Sequence, residues 1–330
     1  MSKILPFEVN PFFCYRQSKG ALFGILQAYE FTKSWIFCTI LNCGSGDLDM
    51  QDDEWLVNCG AILRYKLKSY KICAFFEGTV SRVKKNINNG YYTYLLIDEY
   101  YISEKAAYRK YHFVHDLLVY GYDDEKRNIF TVGYNNCGKY KPYTITYEEL
   151  NKAAKSAVLL DRNAVMYRIK INGNYPFEYH HIEFCDALYK YLKQAAFLDT
   201  EPQNGYNGIC SWIALREHIT DVYNEKTELD LIMCRFIYEH RKYIYNQMIF
   251  VNKISSNKIA NYVDDMKEYN DRVCRLFYKF IKYTVSNDKQ ILLNAKDEIY
   301  MLYKMEYNIL YGIFTSFLAD DKFLYNSGKH

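Results

Sequence analysis

No stretch of this chain reaches the roughly 18 consecutive apolar residues that a membrane-spanning helix needs. No two cysteines stand as CxxC, so a structural zinc site is not expected. A GxxxxGK(S/T) phosphate loop is absent too, which removes the commonest nucleotide cradle. The net charge of +3 is too small to argue for a nucleic-acid partner. The opening "MSKILPFEVN" carries charge but no continuous apolar core, so no secretory signal is expected and a cytoplasmic location follows. In that compartment the ten cysteines are expected as thiols, most of them small buried apolar groups.

What is present is globular. Half of the 330 residues are apolar and a quarter charged, enough for one large domain or two medium ones. The 36 tyrosines, with abundant Lys, Asn and Ile, fit an A/T-rich coding sequence. A few of them can still line a pocket, because a phenol offers both area and a hydrogen bond.

The hydrophobic period changes along the chain. "GALFGILQAYEF" has helical spacing, "YKICAFFEG" and "YYTYLLIDEYYI" read as strands, and "GAILRYKLK" fits either. The stretch 108–135, "YRKYHFVHDLLVYGYDDEKRNIFTVGYN", reads as a β-hairpin around the polar turn "DDEKRN". Thr146 stands three residues before Glu149 in "ITYEELNKAAKSAVLL", a capping box that predicts a helix. From about residue 180 nearly every segment has the 3.6-residue period, interrupted by the loop "DTEPQNGYNG". The expected fold is therefore α+β: a catalytic α+β domain over 1–155 and a helical domain over 156–330 that covers the site.

His115 opens the first hairpin strand in phase with Leu117 and Val119, a placement that suits a general base; His112 falls on the opposite face. A base needs a nucleophile. A cysteine at a helix N-terminus gains from exposed amides and the helix dipole, which favour the thiolate. Cys43 precedes helix-opposing glycines, Cys59 is ambiguous, and Cys14 leads "YRQSKGALFGIL", whose apolar residues keep helical spacing. Cys14 is the best placed of the three. An early cysteine followed by a histidine opening a strand is also the chain order of papain-like enzymes.

"FVHDLLVYGYDDEKRNIFTV", "YLLIDEYYI", "YHFVH" and "DLIMCRFIYEHRKYIYNQMIFV" together resemble the family of the butirosin acyltransferase N-terminal domain, a relative of the C39-type peptidases. The likeness spans most of the chain. It implies a papain-like (C39-peptidase-like) fold and acyl transfer from a carrier-protein thioester, through a Cys14 acyl-enzyme, to an amine. The product is an amide in natural-product biosynthesis, and the alternative is a cysteine peptidase using the same residues. No cofactor is implied beyond the carrier's phosphopantetheine. The implied partners are the carrier and a small amine, with neither nucleic acid nor membrane.

The third catalytic member departs from the family, which often has Asp at the end of the second hairpin strand. Tyr134 and Asn135 fall there, so Asn135 or Asp98 would orient the imidazole, and Asp98 would otherwise bind a cationic amine. The family's oxyanion glutamine before the cysteine is missing too; Asn10 is the nearby amide, with Gln17 just after. An acidic carrier should dock on a basic face, and three runs qualify: Arg64, Lys66, Lys68 and Lys71; Arg82, Lys84 and Lys85; and Lys105, Arg109 and Lys110. The last run, just before His115, is the expected docking face.

Overall fold

The computed structural model describes residues 2–39, 60–67, 70, 74–75, 78–193 and 208–318. It is a mixed α+β fold with an open sheet and a C-terminal helical bundle, and it divides into two compact units. The first comprises the described residues of Met1–Glu30 and Asp53–Pro176, the second those of Phe31–Asp52 and Phe177–His330. The boundary expected at 155/156 falls inside a helix, and the sheet is completed only beyond it.

The first unit carries a seven-stranded antiparallel sheet in the order β2-β7-β3-β4-β5-β6, with β1 also on β4. Its strands are β1 (Ser2–Ile4), β2 (Ile62–Lys66), β3 (Tyr92–Asp98), β4 (Val114–Asp123), β5 (Asn128–Tyr134), β6 (Tyr140–Thr146) and β7 (Met166–Ile171). Strands β4 and β5 form the expected hairpin, with Asp123 paired to Asn128. The Asp123 carboxylate accepts from the amides of Glu125 and Lys126 and closes the turn. β3 pairs with β4 on one side and β7 on the other, and Tyr92, Thr93, Leu95, Ile97 and Asp98 are all fully buried. Strand β6 contains Pro142 and lies at the edge of the sheet, where a missing donor costs nothing.

Helix α1 (Gln17–Gln27) packs on β4 and β5. Helices α3 (Thr79–Asn88) and α4 (Tyr147–Leu160) pack on the sheet as well. The capping box of α4 is complete, with Thr146 and Glu149 each satisfying the other's backbone amide. The stretch "YKICAFFEG", expected as a strand, is helical at its described residues 70 and 74–75. A short apolar run without alternation does not distinguish the two states, and tertiary contacts decide; here the Tyr70 hydroxyl donates to the Leu96 carbonyl at 2.5 Å.

In the second unit, α2 (Lys33–Thr39) is held by α7 (Leu231–Ile254). Tyr243 donates to the Ile36 carbonyl at 2.7 Å and Gln247 to that of Phe37. Helices α5 (His181–Lys193), α6 (Ser211–Tyr223), α8 (Ala260–Ser286) and α9 (Lys289–Leu318) complete the bundle. Asp230 caps α7 through the amides of Ile232 and Met233. Among the described residues no helix is long and apolar enough to cross a membrane.

Candidate functional site

β3 ends in two consecutive acids, Asp98 and Glu99, and a short 3-10 turn (Glu99–Tyr101) follows. The turn sends the two carboxylates to different histidines. Asp98 meets His112 Nδ1 at 2.6 Å, and Glu99 Oε1 lies 3.3 Å from His115 Nδ1. The expected pairing of Asp98 with His115 therefore does not form.

Asp98 is spent on structure. One oxygen accepts from the amides of Tyr100 and Phe113 at 3.1 Å each; the other takes the Ser156 hydroxyl at 2.7 Å as well as His112. Burial alone would raise its pKa, but these bonds outweigh burial and hold the carboxyl below its ordinary value. With both oxygens engaged, Asp98 has nothing left for an amine. His112 does not share the strand with His115, because β4 begins at Val114.

His115 lies between two carboxylates. Asp116 Oδ1 is 3.2 Å from Nε2, opposite Glu99 at Nδ1, and the Phe113 ring stacks on the imidazole at 5.2 Å. Burial favours the neutral ring, yet the bond to Glu99 and the charges of Asp116 and Glu99 prevail and raise its pKa above 6.5. Glu99 moves the other way. Burial pushes it up, while His115 and Lys105 together bring it below its usual value.

Gln17, the first residue of α1, connects these groups. Its Oε1 accepts from Lys105 Nζ at 3.0 Å and from the Tyr134 amide at 3.0 Å; its Nε2 donates to the Asp116 carbonyl and lies 3.4 Å from His115 Nδ1. Two donors on one end and a carbonyl on the other fix the amide's orientation. Nδ1 thus has a donor and an acceptor beside it. When protonated it gives its hydrogen to Glu99, and when neutral it can receive one from Gln17. Gly133 makes room for this carboxamide, since a Cβ there would lie closer than 3.0 Å to Gln17 Oε1.

Cys14 enters the same neighbourhood from the segment before the helix. The helix expected to start at the cysteine starts at Gln17, with Arg16 as N-cap. The Cys14 carbonyl takes the Tyr134 hydroxyl. The half-buried thiol and the Asp116 carboxylate both lie close enough to Tyr140 to act on its phenol. Burial first, then these two groups, push that phenol well above its usual pKa.

The remaining expected residues separate clearly. Tyr134 stands in the cluster, through its amide and its hydroxyl. Asn135 does not touch His115. Its oxygen accepts from the amides of Cys137 and Lys139 at 3.1 and 2.9 Å, closing the turn between β5 and β6. Asn10 is exposed, and its amide bonds to Glu8 outside the cluster. Lys105, expected on a docking face, is buried, and its Nζ lies 2.9 Å from Glu99. Arg109 and Lys110 are exposed. Cys43, Cys59, Lys68 and Lys71 lie outside the described residues. Among the described residues no group of three His, Cys, Asp or Glu side chains is placed to hold a metal ion.

Two buried polar atoms of the cluster have no hydrogen-bond partner: Asp116 Oδ2 and the Tyr140 hydroxyl. Glu99, Asp116 and Tyr140 were missed as site residues in the sequence, and Lys105 was expected on a docking face instead. The adjacent acids in "IDEYY" and "VHD" were the available signal. No protein-family profile matches this chain, and no curated protein matches it.

Proposed function

We propose that the first unit is a papain-like thiol acyltransferase: Cys14 takes an acyl group from a carrier-protein thioester and passes it to an amine. One observation carries this reading. An imidazole at the head of the central strand lies between two carboxylates, which raise its pKa above 6.5, in one cluster with a half-buried thiol. An imidazolium beside a thiol favours the thiolate, the form that attacks carbonyl carbon. Helix α1 packed on an antiparallel sheet, with the cysteine segment leading it and the histidine opening a strand, fits the papain-like arrangement. Glu99 takes the place of the orienting residue, and the product is an amide of a biosynthetic pathway.

In the first half-reaction Cys14 displaces the carrier thiol, one thioester replacing another with little change in free energy. In the second, the amine attacks, His115 takes its proton, and Cys14 leaves. Neither half requires ATP. The test is intact mass spectrometry of the full chain mixed with acyl-loaded carrier protein. Wild type should gain one acyl mass that an added amine discharges as amide, and Cys14→Ala should gain none. Labelling that survives Cys14→Ala overturns the assignment, and release as free acid in the presence of amine makes the chain a hydrolase.

A further inference from the structure

A carbonyl attacked by a thiolate becomes an oxyanion, and the transition state needs a donor aimed at it. The amides expected in this role are engaged or remote. Gln17 Nε2 donates to the Asp116 carbonyl and its oxygen accepts two bonds; Asn10 lies exposed, outside the cluster.

The Tyr140 hydroxyl has the opposite character: it is buried and has no partner. Leaving a buried hydroxyl unsatisfied is destabilising, so its position asks for an explanation. Its ring meets Tyr134 edge-on at 5.6 Å, and Tyr134 in turn holds the Cys14 carbonyl. The hydroxyl end lies against the first turn of α1. A Cβ on Gly20 would fall closer than 3.0 Å to Tyr140 Cζ, Oη and Cε2. Glycine at this helix position gives the phenol its place.

We propose that the Tyr140 hydroxyl is the donor that receives the carbonyl oxygen of the acyl group attacked by Cys14. The inference rests on the acyl-transfer reading above. In the step, Cys14 sulfur bonds to the thioester carbon, and the carbonyl π pair moves onto oxygen, which accepts the Tyr140 O–H hydrogen bond. The pair then returns to re-form the carbonyl. The donor's C–S bond breaks, and the departing thiolate takes a proton from the His115 imidazolium. Burial and the neighbouring negative groups keep the phenol protonated, as a donor must be.

The test compares two reagents on the full-length protein, wild type and Tyr140→Phe. One is the hexanoyl thioester of N-acetylcysteamine, whose reaction passes through an oxyanion; the other is iodoacetamide, which is attacked at saturated carbon and forms none. Acylation of Cys14 should slow by about 10²–10³-fold, with alkylation of Cys14 unchanged. The melting temperature should stay level or rise, because the substitution removes an unsatisfied hydroxyl and keeps the ring. Equal acylation rates, or equal slowing by both reagents, overturn the proposal. If wild-type Cys14 is alkylated but never acylated, the acyl-transfer reading itself fails, and Tyr140 loses this role with it.

Discussion

Each unit of this protein buries a charged network, and the two differ in how completely they are satisfied. In the helical unit Glu306 is fully buried and accepts from Tyr191 at 2.5 Å, from Tyr269 at 2.6 Å and from Trp212, with Arg241 Nε at 3.4 Å. Arg241 is equally buried, donates to Ser211 at 2.6 Å and lies over the Trp212 ring at 4.8 Å. None of the polar side-chain atoms in this network is left without a partner. The cluster around His115 likewise sets carboxylates, Glu99 and Asp116, against basic groups, Lys105 and the imidazole. Yet it keeps two buried polar atoms unpaired, and the histidine side chain is 38% exposed. A saturated network fixes a fold, whereas an unsaturated one beside an accessible titrating ring has capacity left for a substrate.

Removing the Glu306 carboxylate should have the largest effect on stability. Glu306→Ala removes the carboxylate that accepts from Tyr191, Tyr269, Trp212 and Arg241 in the buried network and should destabilise the helical unit by about 3–5 kcal/mol. Urea unfolding followed by far-UV circular dichroism measures it, and a loss within the scatter of surface variants would mean that the network is not structural. His115→Ala should do the reverse: turnover falls about 10²–10⁴-fold while the unfolding midpoint moves little. A collapse of the fold in that variant would erase the distinction between the two clusters.

The Glu99–His115 pair sharpens the comparison through pH. The folded pKa of His115 lies above 6.5, so its stabilising contribution is complete below 6.5 and is lost as pH rises through the folded value. Glu99 titrates below 4.5, so its contribution holds above 4.5 and is lost as pH falls through its folded value. Stability of the first unit should therefore decline on both sides of a plateau. Glu99→Gln should flatten both limbs and bring the His115 pKa down in a proton NMR titration. An unmoved histidine would show that Asp116 alone sets its charge.

The next effect is smaller. Asn135→Ala removes an acceptor from two turn amides and should cost about 1 kcal/mol of stability, with acylation of Cys14 at the wild-type rate. Slow acylation would return Asn135 to the site. The smallest effect belongs to the exposed pair Arg109 and Lys110. Reversal of both to Glu should weaken use of a carrier-bound acyl group, less so at high salt, and leave a small thioester unaffected. Equal loss on both donors would remove the docking role.

The local features were legible in the sequence. The capping box of Thr146 and Glu149, the hairpin of β4 and β5 and the long helices each depend on residues close together in the chain. Strands β1, β6 and β7 were not, since three to seven residues with interspersed lysine, arginine or proline carry little pattern. His115 and Cys14 stand out by residue type, but their partners do not. The turn after β3 decides which histidine meets Asp98 and which meets Glu99, and neither propensity nor periodicity reports on that turn. Lys105 misled for a related reason. In the sequence it belongs to a basic run, whereas in space it is the buried counterion of Glu99.

Gly20 has a consequence for anyone who sets out to make this protein more heat-resistant. It lies inside α1, where alanine is favoured over glycine by about 1 kcal/mol, so a survey of helix propensities would put Gly20→Ala near the top of its choices. The new methyl group would need the space that the Tyr140 phenol occupies. The first candidate on a thermostabilisation list is thus a candidate inactivating substitution, and a variant selected by melting temperature alone would carry it forward unnoticed.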